Sequence, residues 1–464
     1  MLFAFFFFFD KFICCLLMLL GFRFVMSGVD RISELPESLL TQILSYLPTN
    51  QSVQTTVLSK RWENVWLSVP CLDFDLHSSV VPYHDNQVLF TFLDNLLNFS
   101  PELSLLKVKV KCRDMMIDGF MERLGTVISR GTEHLDVESS TDYIDDYTNS
   151  VTLPCVEFMP MNLYASKKLV YLKLTSSGLR DPGFVYMPCL KFMHLEEVKW
   201  RVHLEKLISG CPVLEELTLL RDPEDEYKAL LVRTRSLKRF RVLPLRNGYV
   251  RSRVKCTLKI DAPGLEHMSL GDDQICSIVV KNLTCLLVVE LDVKFRVLVN
   301  TWNVSKINVI RDFLNGISCA RHMIISAKTV QALARYSQLG MIPKFNNLSR
   351  LQAVFRSKLV QFLPAFLECC PNLKHLILVL HPEEMEEELE LTDVPQCVST
   401  TLECVEIQDK FEWEEGKMKV ASYFLENSAV LEKLILSPTA YNQNIYEKVN
   451  KLTKRSPVCQ IIHE

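Results

Sequence analysis

Sixteen cysteines and ten histidines are the residues of this 464-residue chain best suited to chemistry. Thiolates attack electrophiles, and Cys and His together hold zinc. Either use needs a spacing that brings the groups together. No Cys-x-x-Cys pair occurs, and no histidines stand at metal-ligand spacing. Cys14–Cys15 and Cys369–Cys370 are immediate neighbours, which suits neither a disulfide framework nor a zinc site. His203, His322 and His381 have no ligand partner near them in sequence. There is no Walker loop, no Gly-x-Ser-x-Gly elbow and no His-Glu-x-x-His pair. A thioester-forming ligase would need a catalytic cysteine context that is missing here. The scattered cysteines read as buried thiols in a reducing compartment. The expectation is a non-enzyme without metal or cofactor.

The remaining composition points the same way. A chain of this length predicts two or three units, or one elongated repeat array. Apolar residues make up 48%, enough for a large core. A net charge of −3 calls for no nucleic acid or anionic membrane. Only 14 glycines argue against a glycine-rich nucleotide site.

Apolar spacing then locates elements. Pro36 can open a helix, where its missing N–H costs nothing. Leu39, Leu40, Ile43, Leu44 and Leu47 follow as one apolar stripe over about three turns. Pro48 stops that helix, and Thr49 or Asn50 can cap a second one carrying Val53, Val57 and Leu58. A third helix is predicted from Ser59, with Trp62, Val65, Trp66 and Val69 on one side and Pro70 at its end. Three short helices cannot bury this much apolar surface. The surplus is either a helical cap on the next domain or a face for a partner, and the pattern alone does not choose.

The order of residues chooses. Asp30-Arg31-Ile32, Leu35-Pro36, the helix to Leu47, Leu47-Pro48, Leu58-Ser59-Lys60-Arg61-Trp62, Trp66 and Leu72-Asp73-Phe74 together resemble the plant F-box. The resemblance implies docking onto a Skp-family adaptor, and through it onto a cullin–RING assembly. By position it assigns adaptor contact or support to Leu35, Pro36, Leu39, Leu40, Ile43, Leu47, Pro48, Leu58, Trp62 and Trp66. Lys60 and Arg61 would meet acidic adaptor residues or be solvated. Asn50-Gln51-Ser52 and Thr55-Thr56 depart mildly from the family pattern, at the edge of the contact.

Before this region, Met1 to Val25 is almost wholly apolar, interrupted by Asp10 and Lys11. The stretch Phe12 to Phe22 has the length of a signal peptide's apolar region but lacks a positive lead and a small-x-small cleavage site. A span from Phe3 would have to bury Asp10 or Lys11. Met26, just ahead of the F-box-like region, is the simpler start, with a membrane or targeting segment as the other reading.

After it, Leu-x-x-Leu-x-Leu recurs. Copies begin at Leu169, Leu190, Leu214, Leu237 and Leu265, spaced by 21, 24, 23 and 28 residues, and later at Leu348, Leu373, Leu402 and Leu431. Those first intervals fit leucine-rich repeats, whose neighbours stack because no single repeat buries its own apolar face. Ser209-Gly210-Cys211-Pro212 and Glu368-Cys369-Cys370-Pro371 read as repeat junctions with a core cysteine. From Asn282 to Asn347 the period blurs. A strand-like Leu286 to Val299 and a helix near Val304 to Asn315 are predicted there. Lys173, His194, Glu216, Thr218, Arg239, Arg241, His267, Ser269, His375 and Glu406 would line the open strand face, with mixed sign.

The end has its own pattern: Pro395-x-Cys397-x-Ser399, the strand Leu402 to Gln408, a helix opening near Gly416 with Met418, Ala421, Phe424 and Leu425 inward, a strand at Leu431 to Leu436, and a last strand within Lys454 to Ile461. It resembles the FBD segment of plant F-box/leucine-rich-repeat proteins, from which no catalytic role carries over. Glu383 to Glu390 reads as a solvated acidic insertion.

The expected class is thus α/β: a three-helix F-box, an irregular leucine-rich-repeat solenoid and a C-terminal α/β FBD segment. The expected boundaries are 1–25 for the apolar extension, 26–76 for the F-box, 77–390 for the repeats and 391–464 for the FBD segment. The resemblance implies a substrate adaptor of an SCF-type ubiquitin ligase, binding a Skp-family adaptor and an unnamed target protein, in the cytoplasm or nucleus. The alternative is a repeat scaffold without ligase function, membrane-anchored only if residues 1–25 are present.

Overall fold

The computed structural model describes residues 32–75, 93–98, 104–112, 119–139, 158–200, 203–221, 229–244, 256–271, 275–295, 304–382, 389–409, 414–437 and 448–463. Residues 1–25, the Met26 start, Asp30-Arg31 and residues 383–388 of the acidic run lie outside the described residues. Contacts divide the chain into two units, Met1–Arg180 and Asp181–Glu464.

The first unit opens with α1, Glu37–Leu44, behind Pro36, and α2, Thr49–Gln54, behind Pro48. Proline's fixed φ suits both positions, and its absent N–H would have no partner there. Neither Thr49 nor Asn50 caps α2. The Thr49 hydroxyl instead accepts the Asp73 N–H at 2.8 Å, tying the helical segment to the strand that leaves it.

The third helix differs from expectation. Residues 60–64 form turns, and only Val65–Ser68 winds, as a 3-10 helix. Long-range bonds compete here with helical ones. The Trp62 indole N–H donates to Ser33 Oγ at 2.9 Å, and the Arg61 guanidinium donates to the carbonyls of Ser33 and Leu35. Trp62, Val65 and Val69 still reach the core beside Leu40 and Leu44.

The exit from this segment is β1, Cys71–Asp75. It pairs in parallel with β2, Lys107–Cys112, which pairs with β3, His134–Ser139, and then β4, Tyr171–Thr175. Leu72, Val108, Leu135 and Leu172 form one buried row across the four strands. Helix α3, Phe120–Ser129, buries Phe120, Leu124, Val127 and Ile128. Its Arg123 meets Asp94, in the helical stretch 93–98, at 2.6 Å.

The second unit carries a sheet of eleven parallel strands among the described residues. In order these are β5 Phe192–Glu196, β6 Glu216–Arg221, β7 Arg239–Pro244, β8 His267–Leu270, β9 Val288–Leu291, β10 His322–Ile325, β11 Arg350–Arg356, β12 His375–His381, β13 Cys404–Asp409, β14 Lys433–Leu436 and β15 Gln460–His463. Each pairs with the next in sequence. The Leu-x-Leu positions point one way and are buried: Met193 and Leu195, Leu217 and Leu219, Phe240 and Val242. A recurrent contact sets the step. The Lys191 carbonyl takes both the Glu215 and Glu216 N–H, the Glu215 carbonyl both Lys238 and Arg239, and the Lys374 carbonyl both Glu403 and Cys404.

Two features were hidden from the sequence. Strands β9 and β10 continue the ladder through the blurred region, with Val289 and Leu291 registered on Met323 and Ile325. The strand predicted over Leu286 to Val299 is confined to Val288–Leu291, and 296–299 lie outside the described residues. Helix α4, Val304–Gly316, lengthens that repeat and breaks its period. In addition, Ala229–Arg233, Cys256–Asp261 and Ile275–Lys281 build a separate three-stranded parallel sheet.

The repeat junctions behave as expected. Cys211 and Cys370 are buried, and their thiols face the Leu207 and Phe366 carbonyls at 3.3 and 3.6 Å. Gly210 is needed for close approach: a Cβ there would lie 2.4 Å from Val185 Cγ1 and 2.6 Å from its carbonyl oxygen.

At the C-terminus, Pro395 leads first into a short helix, Gln396–Thr400, and then into β13. Helix α5, Glu414–Asn427, buries Val420, Ala421, Phe424 and Leu425, while Met418 is half-buried. Its Lys417 is also buried, and its ammonium donates to the Ser437 carbonyl at 2.8 Å.

Candidate functional site

The ten positions assigned near the N-terminus fall into two groups. Leu40 and Trp62 are core, with Leu44, Val65 and Val69. Leu35, Leu47 and Trp66 are half-buried and pack against that core, and Pro48 is half-buried beside them in sequence. Four are exposed: Pro36, Leu39, Ile43 and Leu58.

Leu39 is 44% exposed and Ile43 42%, one turn apart on α1, so their side chains share a face. Leu58 is 64% exposed at the end of the 3-10 turn Thr55–Val57. Three residues outside the assigned set carry apolar surface in the same way: Tyr46 at 80%, Val57 at 66% and Ile32 at 58% exposure. Tyr46 follows Leu39 and Ile43 at i+7 and i+3, so extending the helical period past Leu44 would have found it. Val57 carried no such signal. It reads as an inward position on a longer second helix, and the shift to a 3-10 turn exposes it.

Why these side chains stay out is a packing matter. Leu40, Leu44 and the Trp62 indole fill the interior of a module with only two short helices. The neighbouring Leu39 and Ile43 have no volume to enter. The Arg61 and Trp62 bonds to residues 33–35 hold the approach to α1 against the later turn. Arg61 is therefore occupied within the module, whereas Lys60 is exposed and makes no ion pair among the described residues.

The module is firmly seated. Besides the Thr49–Asp73 bond, the Pro70 carbonyl accepts the Leu106 N–H at 2.8 Å and β1 is registered on β2 over five residue pairs. The exposed apolar side chains are thus borne by a module continuous with the first unit's sheet. What these side chains can do chemically is bury surface against a partner, with the Tyr46 hydroxyl as the one polar group among them.

On the strand faces, all ten expected positions lie opposite the buried Leu-x-Leu side chains. Ser269 is nonetheless buried. Several are engaged with neighbours: Arg239 pairs with Glu216, His194 Nε2 lies 3.4 Å from Glu196, and Glu406 accepts from Gln408 Nε2 at 2.6 Å.

Titratable groups reflect burial. Burial pushes the Cys211 thiol up to about 12 and the Cys370 thiol well above its usual range. His134 and His322 are held below the usual imidazole value, chiefly by burial and then by Lys107 and Arg350 respectively. Among the described residues no group of three or more His, Cys, Asp or Glu could hold a metal ion. No helix among them is long and apolar enough to cross a membrane.

Three family models match: an F-box domain over residues 32–74, a Leucine Rich Repeat over 189–212 and FBD over 390–436. The chain is similar along nearly its whole length to proteins of Arabidopsis thaliana. An F-box/FBD/LRR-repeat protein is 55% identical over 94% of this chain and 98% of its own length. An FBD-associated F-box protein is 54% identical over 94% and 99%. A further F-box/FBD/LRR-repeat protein is 43% identical over 93% and 99%.

Proposed function

The chain belongs to the family of F-box/FBD/LRR-repeat proteins known from Arabidopsis thaliana, and from that premise we propose that it is the substrate-recognition adaptor of an SCF-type ubiquitin ligase. Membership makes it an F-box protein with a repeat region, which favours an adaptor over an enzyme. In this reading the F-box docks a Skp-family adaptor and the repeats hold a target protein.

One observation carries the reading. Leu39, Ile43, Tyr46, Val57 and Leu58 leave large apolar side chains in water on a module of under fifty residues. Apolar surface of this density on a folded module marks a docking face. The four exposed members of the assigned set would make the contact. The six buried or half-buried members would shape it from behind. The strand β1 would tie that face to the first unit's sheet.

The test is capture of a recombinant Skp-family adaptor by the full chain and by a Leu39→Asp/Ile43→Asp variant. Capture by the parent and loss in the variant, with an unchanged melting curve, is the expected result. Equal capture by both refutes the proposed face. No capture by the parent favours the alternative, a repeat scaffold outside any ligase.

A further inference from the structure

Parallel register places side chains of successive repeats in rows, one strand spacing of about 4.8 Å apart. On the open face of the second unit one row runs His322, Arg350, His375, Cys404, Lys433. Arg350, His375 and Lys433 are exposed, and among the described residues none makes an ion pair or a side-chain hydrogen bond. From Arg350 to Lys433 the row covers about 14 Å.

The next row runs Ile324, Gln352, Ile377, Glu406, Ile435; Ile324 and Ile435 are half-buried and Ile377 is buried. Beyond it the half-buried Val354 registers on the buried Val379. Glu406 stands in the second row, where Gln408 already donates to it at 2.6 Å, and Glu290 registers on Ile324 one strand earlier. Glu403, at the strand entries, is held by Lys374 at 2.7 Å. The earlier repeats differ. There the charges answer one another, Arg239 with Glu216 and His194 near Glu196.

We propose that this part of the face, with Arg350, His375 and Lys433 on one side and the half-buried Ile324 and Ile435 on the other, docks an acidic segment bearing aliphatic side chains. The inference names the chemistry of the target held by the repeats, and so rests on the adaptor reading above. Arg350 and Lys433, without an ion pair among the described residues, favour an acidic partner, and a lysine-rich one meets two like charges. Ile324 and Ile435 favour a segment with aliphatic side chains over a purely polar one, which would leave their apolar surface uncovered.

Fluorescence anisotropy on the full chain, co-purified with a Skp-family adaptor, tests this. The probes are three labelled extended peptides alternating Glu with Leu, Lys with Leu, and Glu with Ser. The Glu–Leu peptide is expected to bind at least about tenfold more tightly than either control. Arg350→Glu/Lys433→Glu changes only exposed side chains and is expected to reverse the preference between the Glu–Leu and Lys–Leu peptides. Equal binding of those two peptides, binding unchanged by the double reversal, or no binding of the Glu–Leu peptide overturns the proposal. The adaptor reading is scored separately in the same samples. A chain that binds the Glu–Leu peptide but does not co-purify with the adaptor removes that reading and leaves the peptide site. A chain that co-purifies yet ignores the peptide does the reverse.

Discussion

Two neighbouring leucines of α1 should behave oppositely when shortened. Leu40 is fully buried in the F-box core, while Leu39 and Ile43 keep more than two-fifths of their surface in water. Leu40→Ala removes buried carbons and leaves a cavity, a loss of about 2–5 kcal/mol. In so small a module that is much of the available stability. Burying a whole Leu or Ile contributes about 1.5–3 kcal/mol. The exposed fractions of Leu39 and Ile43 together then amount to about 2 kcal/mol of contact with an adaptor, roughly thirtyfold in Kd. Leu39→Ala/Ile43→Ala should therefore weaken adaptor binding by that order while leaving the thermal midpoint within a degree or two. Leu40→Ala should lower the midpoint clearly. Calorimetric titration with the adaptor and circular-dichroism melting measure both. Full adaptor affinity in the Leu39→Ala/Ile43→Ala chain, or a melting loss equal to that of Leu40→Ala, would refute the division into face and core.

Four further outcomes are expected. Trp62→Phe removes the donor to Ser33 Oγ and the buried part of the indole that phenyl does not fill, and should cost about 2–4 kcal/mol of stability by denaturant unfolding. Gly210→Ala forces a carbon against Val185, and should destabilise the second unit by about 1–3 kcal/mol, seen as a lowered urea midpoint. His134 and His322 have folded values below the ordinary 6.5, so the unfolded chain binds more protons just below that pH. Stability should then be full above about 6.5 and fall as pH drops through that value towards the lowered folded values, which melting curves at pH 7, 6 and 5 would show. Exposed Cys189 and Cys285 should be alkylated by iodoacetamide in the native chain, while Cys211 and Cys370 should react only after unfolding, as mass spectrometry can score.

Much of the architecture was readable because its causes are local. A Leu-x-x-Leu-x-Leu segment alternates inward and outward side chains whatever surrounds it, so Leu172, Leu217 and Leu376 could be placed in the core from the string alone. Pro36 and Pro48 mark helix starts by their own covalent geometry. Where the period failed, between Asn282 and Asn347, the ladder was intact: Val289 and Met323 are registered neighbours, but the thirteen-residue helix α4 between their strands lengthens the interval. The turns at residues 60–64 were illegible for a different reason. The apolar spacing of Trp62, Val65, Trp66 and Val69 is helical, and bonds to residues nearly thirty positions earlier override it.

By itself, then, the order of residues determined the family, the sequence of helical module, repeats and C-terminal segment, and the inward side of the strands outside residues 282–347, because each depends on neighbours a few positions away. It could not divide Leu39 from Leu40. Both are leucines on one stripe, and only the volume already filled by Leu44, Trp62 and Val65 decides which of them is left in water. Nor could it align Arg350 with His375 or Ile377 with Gln352, since those rows exist only once parallel register sets one repeat against the next.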